Sequence, residues 1–396
     1  MNRCCFGWAL IFTCAVVTNQ AQAGCPKFVE QTIDPNIGQV CYAVTKADVN
    51  DDGKLDIVAV SERRVQWYEA PSWTKHVIID DQTDADNVCI AAHDINGDGK
   101  IDFALGAGWI SSNTGTIQWI TRAENPADKW TVHYISQERS THRMSFADVL
   151  GKGKPQLVVS PLTRSVDGQS GVRLLAFEIA AEPKSERWVP TVLDHSLNRM
   201  HNHTYTDWDG DGLLDTITAS EEGVFLIRKS GDSFNKTQLA IGAVGTTAET
   251  RGAGEIKVGK LKDGTRFLAT VEPMHGNGVA VYVARPDAKL PLERIVIEDS
   301  LKQGHAVWAA DLDGDGSDEL LIGHREAGTG TVKGPGLYVF SADDDTGHKW
   351  TKHVIDNGGI AVEDALVADF NGDGKLDLLA GGRATHNVKL YINQGQ

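Results

Sequence analysis

Nine-residue stretches with side-chain oxygens at positions 1, 3, 5 and 9 recur along this chain. In the first, the donors are Asp48, Asn50, Asp52 and Asp56. The second carries Asp94, Asn96, Asp98 and Asp102. The others carry Asp207, Asp209, Asp211 and Asp215; Asp311, Asp313, Asp315 and Glu319; and Asp369, Asn371, Asp373 and Asp377. Position 6 is glycine in all five, which permits a tight turn, and position 7 offers a carbonyl. Hard oxygen donors at this spacing suit Ca²⁺. Five complete copies predict about five structural calcium ions. Two further copies are worn. Asp148 to Gln156 has Lys152 at position 5 and Gln156 at position 9, and Gly259 to Phe267 has Asp263 and Phe267 there. Neither is expected to bind calcium.

A second set of chemistry-bearing residues lies at a fixed offset from these loops. Six residues before each motif stand Tyr42, Val88, His142, His201, Ala253, His305 and Glu363. His203, Arg143, Arg199 and Arg251 are close by in sequence. The segments that follow the second apolar run of each unit add Arg164, Glu221, Glu272, His275, Asn277, His324, Arg325 and His386. Trp109 and Trp308 offer flat apolar faces. Neutral imidazoles take protons and bind metals, and guanidinium groups hold carboxylates. His76, His133 and His353 fall on outer strands and read as structural.

The elements that position these groups follow from the period. The motifs start at 48, 94, 148, 207, 259, 311 and 369, so the repeat is 46 to 59 residues long. Units of that length, each with several short strands, predict a β-propeller. Seven units predict an all-β ring of seven blades. In the sixth, His305 to Ala310 reads as the inner strand a and Leu320 to Ile322 as b. Gly336 to Phe340 reads as c and Lys352 to Ile355 as the outer strand d. The last unit stops at Val388 to Ile392 without a d-strand. Lys27 to Asp34 reads like one, and is expected to complete the seventh blade and remove a free edge. The repeat resembles the FG-GAP/VCBS family, known from integrin α-subunit propellers and secreted microbial proteins. That resemblance implies the propeller and its calcium loops, and leaves the function open.

Closure brings the offset residues to one mouth, on the face opposite the calcium loops. A convergent polar pocket there is the default ligand site. Several local runs bear on its chemistry: Glu272-Pro273-Met274-His275-Gly276-Asn277, Gly304-His305-Ala306-Val307-Trp308, Gly323-His324-Arg325, Thr141-His142-Arg143 and Pro161-Leu162-Thr163-Arg164. These resemble secreted rhamnose–glucuronate lyases and the propeller part of aldos-2-ulose dehydratases. The resemblance implies eliminative chemistry on a carbohydrate. β-Elimination from a uronide needs its carboxylate neutralised, a base for the C5 proton, and an acid for the leaving oxygen. His275 or His142 is the expected base. His324 and Asn277 join the candidate catalytic set, with Arg143, Arg164, Arg251 and Arg325 as carboxylate clamps. His201, His203 and His305 are candidates for a central divalent metal. The leading expectation is a lyase or dehydratase acting on an acidic glycan. The alternatives are a non-catalytic, integrin-like propeller that binds glycan or protein, and a scaffold in polysaccharide handling. No G-x-S-x-G or H-E-x-x-H is present to support a serine hydrolase or zincin.

Composition sets the context. Residues 1–23 read as a cleavable export signal, with Arg3, an apolar run from Phe6 to Val17, and Ala21-Gln22-Ala23. The apolar run is too short for a membrane anchor. Residues 24–396 then form a single exported propeller, secreted or periplasmic, expected to be a monomer. Cys25, Cys41 and Cys89 remain after cleavage, which predicts one disulfide and one lone thiol. The net charge is −16, or −17 without Arg3. Five bound calcium ions would add about ten positive charges. The acidity therefore belongs to the loops, and it argues against a nucleic-acid partner.

Overall fold

The computed structural model describes residues 24–110, 115–163, 171–329 and 334–396. The expected export signal and Arg164 lie outside the described residues. Seven four-stranded antiparallel sheets follow one another around a ring, with no helix among the described residues. The expected seven-bladed propeller is the fold.

Each blade runs outward in chain order. Blade six comprises Gly304–Ala310, Glu319–His324, Gly336–Ala342 and Trp350–Asn357. Its second strand is buried along its whole length. A neighbouring blade covers each face of that strand, so both alternating sets of side chains are enclosed. This is why the second strands read as unbroken apolar runs, such as Ile57-Val58-Ala59-Val60. Fully burying one such aliphatic side chain is worth about 1.5–3 kcal/mol. The buried apolar residues gather between successive blades. Trp67 and Ile120 pack between blades one and two, Trp119 and Phe177 between two and three, and Phe267 and Phe340 between five and six. The outermost strands are half solvated, so they alternate and leave residues such as Tyr134 exposed.

The seventh blade contains Val362–Ala368, Asp377–Gly382 and Val388–Asn393, and its fourth strand is Phe28–Asp34. Val29 stands opposite Ile392 and Gln31 opposite Leu390. Asp34 at the end of this strand accepts from Tyr68 Oη at 2.7 Å and from Lys75 Nζ at 3.0 Å, both in blade one. The same device recurs between blades six and seven, where Asp356 accepts from Tyr391 Oη at 2.7 Å and Lys389 Nζ at 3.1 Å.

The acidic loops join first and second strands on one face. In each complete copy the position-1 carboxylate accepts the backbone N–H groups of positions 5 and 6, as Asp48 does from Asp52 and Gly53. The carboxylates of Asp207, Asp209 and Asp211 converge, as do those of Asp311, Asp313 and Asp315. Position 9 is turned inward and accepts the N–H of position 2, as Asp56 does from Val49 at 2.9 Å.

The predicted disulfide is not formed. Cys25, Cys41 and Cys89 are all free thiols. Cys41 packs between blades seven and one and Cys89 between blades two and three, so equivalent places on adjacent blades face different interfaces. Among the described residues no helix is long and apolar enough to cross a membrane.

Candidate functional site

The offset of six residues has a structural cause. In five inner strands the pairing slips by one residue at that position. The slip falls between Cys41 and Ala43, Asn87 and Cys89, Thr141 and Arg143, Gly304 and Ala306, and Val362 and Asp364. The unpaired residues are Tyr42, Val88, His142, His305 and Glu363. A β-bulge of this kind re-aims a side chain. Here it turns these residues toward the ring axis at the mouth.

Four imidazoles meet there. The His201 ring centroid lies 4.7 Å from that of His142, 4.8 Å from His275 and 4.9 Å from His305, and His275 and His305 are 4.8 Å apart. One nitrogen each of His201, His275 and His305 falls within 4.8 Å of the other two. His275 Nε2 and His201 Nε2 are 3.0 Å apart. His275 comes from the turn after the second strand of blade five. It holds a left-handed backbone, φ 57°, which is uncommon for a residue with a side chain and clusters at functional sites.

Three of the four rings have an oxygen beside Nδ1, and of these the His201–Glu255 contact lacks hydrogen-bond geometry. Glu255 Oε1 lies 2.8 Å from His201 Nδ1. His305 Nδ1 donates to the Glu363 carbonyl, and His142 Nδ1 donates to the His201 carbonyl at 3.3 Å. These contacts favour tautomers with the proton on Nδ1 and the lone pair on Nε2. His305 Nε2 is buried without a hydrogen-bond partner. Three imidazole nitrogens within 4.8 Å of one another, with a carboxylate behind His201 and a carbonyl behind His305, fit an open-sided divalent transition metal such as zinc. Burial, followed by the charge of Arg143, pushes His142 and His201 well below the usual histidine range. Burial and then Arg325 do so for His305, and burial and then His201 for His275. All four imidazoles are therefore neutral, as metal ligation or proton abstraction requires.

The cations here are already paired. Arg325 Nη2 donates to Glu363 Oε1 at 2.7 Å, with Nε 2.6 Å from Oε2. Arg383 Nη1 donates to the same Oε1 at 2.9 Å. Arg143 Nη2 lies 3.6 Å from Glu255 Oε1, while its Nη1 donates to the His142 carbonyl at 3.2 Å. Opposite the imidazoles, Arg383 lies over the Tyr42 ring at 5.6 Å, and half-buried Trp109 meets His142 edge-on at 6.1 Å. Beneath this layer is an axial cavity of about 270 Å³ with a mixed lining, Arg143, His203, Lys257 and Asp364 beside apolar residues such as Val88 and Met144.

Residues 48–105 and 311–380 match the model of the FG-GAP-like repeat. Residues 114–285 match that of the aldos-2-ulose dehydratase β-propeller domain. This chain is a seven-bladed propeller, with FG-GAP-like repeats in its first two and last two blades. It is 23% identical over 279 residues to the aldos-2-ulose dehydratase of Phanerodontia chrysosporium, covering 66% of this chain and 31% of that protein. It thus spans under a third of that curated relative's length. Among solved structures, it resembles a BBS1N structure in complex with ARL6DN, with a TM-score of 0.56 at 13% identity over 94% of this chain and 98% of that one. It also resembles an Agrocybe aegerita lectin described as recognising non-reducing terminal N-acetylglucosamine. There the TM-score is 0.53 at 14% identity, over 88% of this chain and 93% of that one. Both structural likenesses speak to the fold alone.

The propeller brings together His142, His201, His275, His305, Arg143 and Arg325, as the sequence suggests. Other candidates go elsewhere. His203 lies in the axial cavity, with Nε2 3.1 Å from Ser145 Oγ and Nδ1 3.0 Å from Ser160 Oγ. His275 takes the third place beside His201 and His305. His324 turns into blade six, where Nε2 is 3.1 Å from Tyr338 Oη and Nδ1 donates to the Glu326 carbonyl at 2.8 Å. Glu272 is buried in blade five, accepting from Thr270, Tyr282 and Arg294. Asn277 is exposed and donates to the Asp299 carbonyl. Arg251 sits at the rim and pairs with Glu221 at 2.9 Å, and Arg199 with Glu249 at 2.9 Å. Trp308 lies in the cavity with Lys257 Nζ over its ring at 5.1 Å. His386 donates from Nδ1 to the Gln39 carbonyl.

Sequence reasoning missed Glu255, Arg383, Lys257 and Asp364. The inner strand of blade five is only Lys257–Lys260, so the six-residue count lands on Ala253, upstream of the strand. The axial acid is Glu255, two residues on. A buried Glu next to a Lys two positions later was the available signal.

Proposed function

We propose that the mouth of this propeller carries out β-elimination on a sugar, and that the sugar is a neutral keto-sugar rather than a uronide. The convergence of His201, His275 and His305 beside a neutral His142 supports the eliminative chemistry. The pairing of Arg143, Arg325, Arg383 and Arg251 with internal carboxylates disfavours an acidic substrate clamped by these four groups. The similarity to an aldos-2-ulose dehydratase propeller points the same way.

In this reading His142 is the general base. Its Nδ1 is tied to the His201 carbonyl, and Nε2, which faces Arg143 Nη1 at 3.4 Å, exchanges that contact for the proton α to the sugar carbonyl. The C–H electrons form the new C=C bond and the β C–O bond breaks. Tyr42 is the acid for the departing hydroxyl, which leaves as water. Burial raises the Tyr42 pKa and keeps its proton in place until then. The proton held on His142 returns to Tyr42 through solvent. His201, His275 and His305 would hold a divalent metal, which supplies polarisation of the carbonyl. Trp109 offers a face for the pyranose ring. The protein is further proposed to be exported, with Ca²⁺ in its five complete loops.

The test incubates the purified chain, loaded with zinc or manganese, with hexos-2-ulose and separately with uronate-bearing glycans. Loss of one water from the ulose, with ultraviolet absorbance of an unsaturated carbonyl, supports the reading. Unsaturated product from the uronate alone overturns the choice of substrate. Sugar binding without any product favours the non-catalytic glycan-binding alternative.

A further inference from the structure

A second opening adjoins the mouth. It is a groove of about 340 Å³ between the ends of blades six, seven and one, lined by Gln39, Gln303, Arg325, Glu326, Arg383 and His386 among others. It is continuous with the histidine cluster through shared groups. Arg325 and Arg383 both line it, and both end on Glu363, whose carbonyl holds His305. Whatever fills the groove therefore touches the same two guanidinium groups that fix the back of the site.

Its chemistry is distinctive. Glu363 engages both arginines, so each guanidinium in the groove is already hydrogen-bonded to a carboxylate within the protein. Glu326 at its edge pairs with Lys302 at 2.8 Å. The side-chain amides of Gln39 and Gln303 have no hydrogen-bond partner within the protein; only the backbone groups of these residues are engaged. Each amide offers a donor pair and an acceptor, a match for adjacent sugar hydroxyls. Both residues are held at the rim by backbone bonds. Gln39 N–H donates to Glu62, its carbonyl accepts from His386, and the Gln303 carbonyl accepts from Arg325 N–H. Gln303 and His386 have left-handed backbones, φ 56° and 57°, which fix these turns despite the cost to a non-glycine residue. Neutral, planar, donor-and-acceptor groups on a fixed frame suit a carbohydrate better than an ion or an apolar ligand.

We propose that this groove is a subsite for a second, uncharged sugar unit linked to the reacting one, so the preferred substrate is a disaccharide or longer. The proposal rests on the eliminative reading for which unit reacts, but not for whether the groove binds sugar. Gln39 and Gln303 determine specificity and take no part in bond breaking.

The experiment has two arms, both with the metal-loaded full chain. The first compares turnover of hexos-2-ulose with that of the 2-uloses of maltose, cellobiose and laminaribiose. The second measures equilibrium binding of unreactive glucose, maltose, cellobiose and laminaribiose by calorimetry. At least one disaccharide should be preferred by roughly tenfold in kcat/KM, and its unreactive parent should bind tighter than glucose by a similar factor, as two or more added hydrogen bonds would give. The Gln39→Ala/Gln303→Ala variant should lose this preference through KM, with its constants for hexos-2-ulose unchanged. Tighter disaccharide binding that the variant loses, without turnover of any ulose, keeps the subsite and sinks the eliminative reading. Equal handling of mono- and disaccharides in both arms overturns the subsite, as does a variant that weakens both alike.

Discussion

Gln156 donates its side-chain amide to Asp148 Oδ1 at 3.2 Å and to the Lys154 carbonyl, while its Oε1 accepts from Leu150 N–H at 2.9 Å. Asp148 and Lys154 are positions 1 and 7 of the third acidic loop. In a calcium loop the ion would bridge those two oxygens. Here an amide nitrogen does so, and Lys152 turns away to Glu178 at 2.7 Å. Blade three is built to close its loop without metal.

The wild-type chain should therefore carry five calcium ions, and Leu150→Asn with Lys152→Asp and Gln156→Asp, which supplies donors at positions 3, 5 and 9, should carry a sixth. Metal analysis of the two proteins after gel filtration decides this. Chelation should lower the Tm of both, because an ion bound only to the folded state stabilises it. Seven tightly held ions in the wild type, or none, contradicts the assignment.

The closing strand should be held chiefly by its last residue. Asp34→Ala leaves Tyr68 Oη and Lys75 Nζ without their carboxylate at a buried site. The loss should be about 3 kcal/mol, as for removing one partner of a buried pair. Tyr68→Phe should cost about 1 kcal/mol. Urea unfolding of both variants tests the ranking. Deleting residues 27–34 should expose the blade-seven edge and bring aggregation, read by light scattering.

Acid should weaken the fold through its buried histidines. Burial pushes His203 down to about 3, and lowers His324 as well, from an unfolded value of 6.5. Between pH 6.5 and the folded pKa the unfolded chain binds a proton that the native chain does not. Stability is therefore complete above 6.5 and is lost as pH falls, by up to about 1.4 kcal/mol per unit for each such group. Urea midpoints from pH 7.5 down to 5 should show this slope. His203→Gln, which keeps a polar group near Ser145 and Ser160, should flatten it. An unchanged slope in the variant would place the acid sensitivity elsewhere.

Proton transfer and metal holding should separate by mutation. His142→Ala should reduce turnover by about 10² or more, with metal content and circular dichroism unchanged. His305→Ala should lose the central metal along with activity, since it removes one of three convergent imidazoles. Arg251→Ala, at a rim ion pair, should leave turnover of a neutral ulose near wild type. If His142→Ala keeps wild-type turnover, the base is a different residue.

The ring was legible because its repeat carries both turn chemistry and strand pattern. The glycine-containing acidic loops mark every first turn, and the apolar runs mark every second strand. The mouth was legible in part. His142, His305 and Glu363 share an offset because each is the unpaired residue of the same bulge. His203 misled for a geometric reason. It is two residues from His201 and shares its face, but two residues of strand rise by about 6.7 Å, which places it one layer deeper. Glu255 escaped because blade five starts its inner strand late, so counting from the loop lands on Ala253. The pairing of Arg325 and Arg383 on Glu363 escaped as well, because it joins the adjacent blades six and seven and leaves no trace in local spacing.

The bulges at the inner strands also separate the evolution of chemistry from that of architecture. Tyr42, Val88, His142, His305 and Glu363 have no ladder partner, so replacing one removes no cross-strand pair. Selection can rewrite these positions while the blades on either side stay as they are. Val88 is the apolar member of that set: a bulge residue in blade two that is buried against the core and carries no functional group, so blade two adds packing and no chemistry to the ring of bulges.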